Sequence, residues 1–184
     1  MILAGKEILE RLTMVAPVST PAGLERVKEL INEGKVVISP FPDISKMLEV
    51  LSLELEIGKI KIPESPGFLK EICIDFSRPE TLKEKFEISD KEQVFLHPNP
   101  RDFLRVETRQ FLGIPADLVA QIGIGSKFAT HCLEIIGEPA YLLPGFVGKV
   151  ELNIKNSGNR PIVLSPGLPI FQLVFELLSS PLNI

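Results

Sequence analysis

Apolar residues recur along this chain in two different rhythms, one near its start and the other over the remainder. Leu24, Val27, Leu30 and Ile31 return at helical spacing between Pro21 and Gly34, which predicts a short amphipathic helix bounded by a starter and a stop signal. From Lys35 onward the apolar runs shorten, as in Val36-Val37-Ile38 and in residues 53–62, and many of the 16 prolines and 13 glycines interrupt them. That pattern predicts a β-dominated fold. Val150, Leu152 and Ile154 alternate with Glu151, Asn153 and Lys155, the period of a half-buried strand. Pro144-Gly145 and Asn156-Ser157-Gly158 are the turn formers on either side of it, and Pro166-Gly167 predicts a further turn before the apolar run of Ile170, Leu173 and Phe175. Residues 142–181 therefore read as consecutive antiparallel strands joined by tight turns. Residues 77–93 are dense in Glu and Lys and poor in large apolar residues, which predicts a solvated excursion with a helical turn or a mobile loop.

Composition narrows the function classes. A chain of 184 residues fits one domain, taken here as 1–184, and a domain of that size buries roughly 70% of its unfolded surface. The 20 Lys+Arg against 24 Asp+Glu leave a net charge of −4, so no general basic field draws the chain to bulk nucleic acid or to an anionic membrane. Hydrophobic residues make up 45% of the chain, with a mean hydropathy of +0.22. No apolar run reaches the roughly 18 residues needed to span a bilayer, so the excess is expected at a subunit interface. No secretory signal is visible after Met1, and the cytoplasm is the expected compartment. Cys73 and Cys132 each stand among apolar neighbours and are expected to be buried free thiols. His131-Cys132-Leu133-Glu134 lacks the paired ligands of a zinc deaminase, and no metal centre is expected.

The order P-G-F-x-G, a strand ending in N-S-G, then L-x-P-G-x-x-I-x-Q-L-x-F resembles the dCTP deaminase and dUTPase superfamily, and most of all its dCTP deaminase-like branch. The likeness extends further. Residues 1–12 are similar to the family's opening helix, and residues 38–58 to its early segment, with Ser52 in the serine slot and Glu54 where an aspartate is usual. Residues 95–130 are similar to the family's L-H-P, its threonine (Thr108), its L-P-x-D-L (114–118) and its glycine-serine loop. The resemblance implies a mainly β, dUTPase-like distorted barrel or jelly roll with short N-terminal helices. It also implies a homotrimer with nucleotide sites between subunits. No tightly bound cofactor is implied, and Mg2+ is expected to arrive with the nucleoside triphosphate.

The chemistry of that family identifies the positions to watch. Deamination of cytosine needs a general base that takes a proton from the attacking water, a task suited to a carboxylate. The family's Glu falls at Asn153 in this chain, and the Asp with which a dUTPase activates water falls at Leu143. Glu151 shares the strand face of Asn153 but lies roughly 6 to 7 Å along it, a candidate displaced carboxylate. Glu138 is another candidate, with His131 and Glu134 upstream. In the glycine-serine loop Gly125 replaces the family's arginine, Ser126 matches, and Lys127 brings a cation to the same face if the segment is extended. Gln172 occupies the glutamine position of the family pattern, and these four residues are the candidate nucleotide contacts. The expected function is conversion of dCTP to dUTP, of dUTP to dUMP and pyrophosphate, or both. The alternative is an inactive member that binds nucleotide or serves as an assembly or regulatory subunit.

Overall fold

A computed structural model of the chain describes residues 5–15, 18–41, 52–64, 77, 86–99, 102–137 and 140–182. Helix α1 (Gly5–Arg11) runs into β1 (Leu12–Thr13), followed by α2 (Pro21–Asn32) and β2 (Val36–Ser39). The N-cap hydroxyl of Thr20 accepts from Gly23 N at 3.1 Å, and Pro21 opens α2 where a missing N–H has no consequence. Gly34, at φ 76°, turns the chain away after the helix. Val27, Leu30 and Ile31 then pack with Val37 as a small satellite core.

The rest of the described chain is strand-rich. It comprises β3 (Leu53–Leu55), β4 (Ile57–Pro63), β5 (Phe86–Ile88), β6 (Val94–Leu96), β7 (Leu104–Thr108), β8 (Phe111–Gly113) and β9 (Leu118–Ile124). A one-turn helix α3 (Ser126–Ala129) precedes β10 (Leu133–Ile136), β11 (Ala140–Leu142), β12 (Val147–Gly148), β13 (Glu151–Asn156), β14 (Ile162–Leu164) and β15 (Phe171–Leu177). These form sheets with the strand orders β1-β2-β8-β12, β10-β13-β7-β4-β5, β11-β9-β15-β3 and β14-β6. The second and third sheets direct their inner side chains, among them Ile60, Val106, Leu152, Ile154, Ala120 and Phe175, into one main core. The mainly β architecture with helices near the start agrees with the expectation, and the described strands fall into separate sheets rather than one closed barrel.

Expectations about strand pairing, about residues 77–93 and about Cys132 need correction. The strands of 142–181 are antiparallel, yet they are not consecutive partners: β12 pairs with β8, β13 with β10 and β7, β14 with β6, and β15 with β9 and β3. Alternation reveals which face of a strand is buried, but ladder hydrogen bonds are made by a backbone common to all residues, so alternation does not name the partner. Within 77–93 the chain forms β5, which pairs with β4, because a three-residue edge strand needs backbone partners more than an apolar face. Cys132 is an exposed free thiol. It stands in the turn that follows α3, in a left-handed conformation at φ 61° with its N–H donating to Ala129 O at 2.9 Å, and this turns the side chain outward. Cys73 lies outside the described residues.

Among the described residues Thr108, Gln110 and Asn156 are the buried polar side chains, and Gln110 is bonded at one end alone: its Oε1 accepts from Glu56 N at 2.9 Å while its Nε2 is without a partner. Thr108 Oγ1 donates to Gln110 O at 2.8 Å and accepts from Val150 N at 3.0 Å. Asn156, only 1% exposed, donates through Nδ2 to Leu96 O at 2.9 Å and to Arg160 O at 2.7 Å, while its Oδ1 accepts from Gly158 N at 3.0 Å. The asparagine of N-S-G is thus the clamp that joins the end of β13 to β6 and to the following turn. Asn156→Ala is expected to leave two carbonyls and one N–H without partners and to cost about 3 kcal/mol, read as a lower urea midpoint at unchanged slope. A loss below about 1 kcal/mol would show that the clamp is replaceable.

Candidate functional site

In the middle of its sheet, β13 sends Leu152, Ile154 and Asn156 inward and leaves Glu151, Asn153 and Lys155 on the outer face. Its neighbour β7 does the same with Leu104, Val106 and Thr108 inside and Arg105 and Glu107 outside. The register sets Asn153 opposite Arg105 and Glu151 opposite Glu107. Arg105 Nε donates to Asn153 Oδ1 at 2.9 Å, and the guanidinium carbon lies 4.0 Å from the ring centroid of Phe86. Phe86 in turn meets Phe103 edge-to-face at 6.3 Å. A cation over an aromatic face is attracted by the ring quadrupole, so the arginine is held from below by β5 and from the side by β13. An arginine nitrogen only donates, so the amide oxygen must face it and Asn153 Nδ2 points elsewhere as a donor.

Glu151 is already engaged. Its carboxylate is ion-paired and hydrogen-bonded with Lys61, which also approaches Glu107 at 3.9 Å, and Lys149 reaches Glu107 at 3.2 Å. Two lysines and two glutamates therefore compensate one another across β4, β7 and the start of β13. The arrangement directs Glu151 toward Lys61 on the far side of the sheet from β10, away from the slot of Asn153.

The glycine-serine loop lies at the end of the other large sheet. Gly123 pairs with Gln172 in the ladder of β9 and β15, and Gly125 N donates to Ile170 O at 2.8 Å. A Cβ placed on Gly125 would stand 3.7 Å from Gln172 Cδ and 3.5 Å from Phe128 and Ile170 O, so the loop and the glutamine are neighbours. The segment after Gly125 is helical rather than extended, which corrects the expectation that Gly125 and Lys127 share a strand face. Ser126 and Lys127 are exposed on α3, and Lys127 Nζ lies 5.4 Å from the Phe128 ring centroid. Leu143 follows β11 on the same sheet, 65% exposed before a turn in which Gly145 adopts φ 81°.

The candidates thus fall into two groups. Asn153 and Glu151 belong to the five-stranded sheet, whereas Gly125, Ser126, Lys127 and Gln172 lie at one end of the β11-β9-β15-β3 sheet and Leu143 at its opposite end, beside the start of β9. The link is short, because α3 leads directly into β10, whose Ile136 pairs with Asn153. Glu138 lies outside the described residues. Of its proposed companions, His131 is exposed and Glu134 is hydrogen-bonded to the Ser157 hydroxyl. Among the described residues no three His, Cys, Asp or Glu side chains converge as a metal site, and no helix is long and apolar enough to cross a membrane. Sequence reasoning missed Arg105 and Phe86. The alternation in Leu104–Thr108 was enough to place Arg105 outward, but nothing local indicated Asn153 as its partner.

Residues 23–178 match the family model described as dCTP deaminase-like. The dUMP-forming dCTP deaminase of Methanothermobacter thermautotrophicus is 31% identical over 160 residues, covering 84% of this chain and 78% of that protein. The dUMP-forming dCTP deaminase of Halobacterium salinarum is 27% identical over 184 residues, covering 98% and 83%. The crystal structure of 2'-deoxycytidine 5'-triphosphate deaminase from Agrobacterium tumefaciens has the same fold, with a TM-score of 0.58 at 18% identity over 99% of this chain. This chain spans about half of that one, 49% of its length.

Two substitutions check the geometry. Glu151→Gln removes one member of a partly exposed ion network and is expected to cost no more than about 1 kcal/mol. Gly125→Ala, with φ −56° and only ordinary contacts for its Cβ, is expected to change stability by less than about 1 kcal/mol. Thermal unfolding monitored by circular dichroism reads both, and a loss above about 2 kcal/mol in either would contradict the packing described.

Proposed function

Because the chain belongs to the dCTP deaminase-like family, we propose that it binds a pyrimidine deoxynucleoside triphosphate and has lost carboxylate-driven chemistry on it. The observation that carries this reading is the bond from Arg105 Nε to Asn153 Oδ1. A general base must take up a proton from the attacking water in the transition state, and a neutral amide oxygen is far too weakly basic to do so. Here that oxygen is also already bonded to a donor. Loss of a positioned acid or base typically lowers a rate on the order of 100 to 10,000-fold. Leu143, in the slot of the dUTPase carboxylate, can neither activate nor orient water.

Binding requires less than turnover does. In this reading Ser126, Lys127 and Gln172 contact the nucleotide beside Gly125, with Lys127 compensating phosphate charge in place of an arginine. Mg2+ accompanies the triphosphate as part of the ligand rather than resting in a protein cage. The separation of the two residue groups onto different sheets supports assembly as a homotrimer, in which neighbouring copies would bring the groups together. An alternative is favoured by the relatives that are dUMP-forming dCTP deaminases: turnover survives through a displaced carboxylate, Glu138 or Glu151.

Incubation of the purified protein with dCTP or dUTP and Mg2+, followed by chromatography, is expected to yield no product above a protein-free control. Calorimetry is expected to detect binding, weakened about 10-fold by Lys127→Ala and by Gln172→Ala. Formation of dUTP or dUMP would overturn the proposal in favour of the alternative, and Glu138→Gln and Glu151→Gln would then identify the responsible group.

A further inference from the structure

We infer that the outer face of the β11-β9-β15-β3 sheet holds the base of the nucleotide, in a notch over Gly123 walled by Tyr141, Gln121 and Gln172. The inference rests on the proposed nucleotide-binding function, and within it on phosphate contacts at the loop of Gly125. Ala120 and Ile122 of β9 and Phe171, Leu173 and Phe175 of β15 point into the core, so Gln121, Gly123, Gln172 and Val174 lie on the opposite face. The register arranges that face in rows. Tyr141 stands opposite Gln121, and Gln121 opposite Val174; in the next row Gly123 stands opposite Gln172, and Gln172 opposite Glu54. Tyr141 is 49% exposed, and Gln121 is exposed beside it. Gly123 lies diagonally from Tyr141, and a Cβ built on it would meet no atom within 4 Å. One bare position among three long side chains makes a depression in the face.

The walls of this notch match the flat, polar-edged ring of a base. Tyr141 supplies an aromatic face, and stacking a base on such a ring is worth about 10-fold or more in affinity. Gln121 and Gln172 each carry an amide, which both donates and accepts, so a carbonyl or an amino group on the ring edge finds a partner. Gly125 is two residues further along, roughly 7 Å. There the chain leaves the sheet for the exposed Ser126 and Lys127, so a base over Gly123 has its phosphates directed toward the loop. Two carboxylates share the face, Glu54 beside Gln172 and Glu176 beside Val119, and neither borders Gly123 in the register. A neutral base stacks on Tyr141 without pairing with either.

Gly123→Val fills the notch and leaves its walls in place. The φ of Gly123 lies outside the left-handed region and the added side chain enters open space, so the variant is expected to melt at an unchanged or higher temperature. Calorimetric titration of the intact protein with dCTP and with dUTP at equal Mg2+ reads the base contact. Gly123→Val and Tyr141→Ala are each expected to weaken both nucleotides about 10-fold or more, whereas Tyr141→Phe, which keeps the ring, stays within about 2-fold of the unaltered protein. Sedimentation is expected to show the same assembly state for all three variants. Binding that survives either Gly123→Val or Tyr141→Ala would overturn the inference while leaving nucleotide binding intact. So would a Gly123→Val protein that fails to fold, because the space over the glycine would not be open, or a changed assembly state, because the face would then be a contact between copies. Failure of the unaltered protein to bind either nucleotide would overturn the proposed function as well.

Discussion

The placement of β13 between β10 and β7 is the constraint from which the rest of the site follows. A central strand has both backbone edges engaged, so its side chains can differ only by face. Leu152 and Ile154 bury the inner face, and Asn156 ends it with bonds to Leu96, Arg160 and Gly158. Once those inner residues are seated, Asn153 has only the outer face available. A register slip by one residue would bury Asn153 and expose Ile154, so the apolar core also determines the chemistry outside it.

On that face, local pairing decides what each polar group can do. An exposed ion pair is generally worth no more than about 1 kcal/mol, which makes the Lys61, Glu107, Glu151 and Lys149 network a minor source of stability. Its larger effect is on direction, because it orients Glu151 toward Lys61. The Arg105 bond has a comparable consequence for Asn153 by settling which end of the amide faces the strand next to it. Phe86 contributes from the segment whose composition suggested only solvated charge. A single aromatic residue on an edge strand thereby helps to position a cation that β7 carries and β13 bonds.

The second sheet supplies a different type of surface. β9 passes through Gly123 and Ile124 into the turn of α3, where Gly125 lies against Gln172 and Ser126 and Lys127 face outward. The chain continues from α3 into β10 and so reaches the partner of Asn153 within a few residues. Loop and strand are thus tied covalently and by hydrogen bonds, although they belong to different sheets.

Much of this was legible in the residues themselves. Helical spacing and the Pro21 and Gly34 signals located α2, alternation assigned the faces of β13, and the ordered turn motifs pointed to the family. Asn153 and Leu143 were already visible as non-carboxylate residues, because residue identity at a motif position does not depend on folding. Other features required long-range contacts. Arg105 and Asn153 are 48 residues apart, and Lys61 and Glu151 are 90 apart. Strand alternation indicates only that such side chains point outward. Their pairing depends on which strands become neighbours and in what register, and that is decided by how the inner faces pack together, so it emerges only when the sheets assemble around their common core.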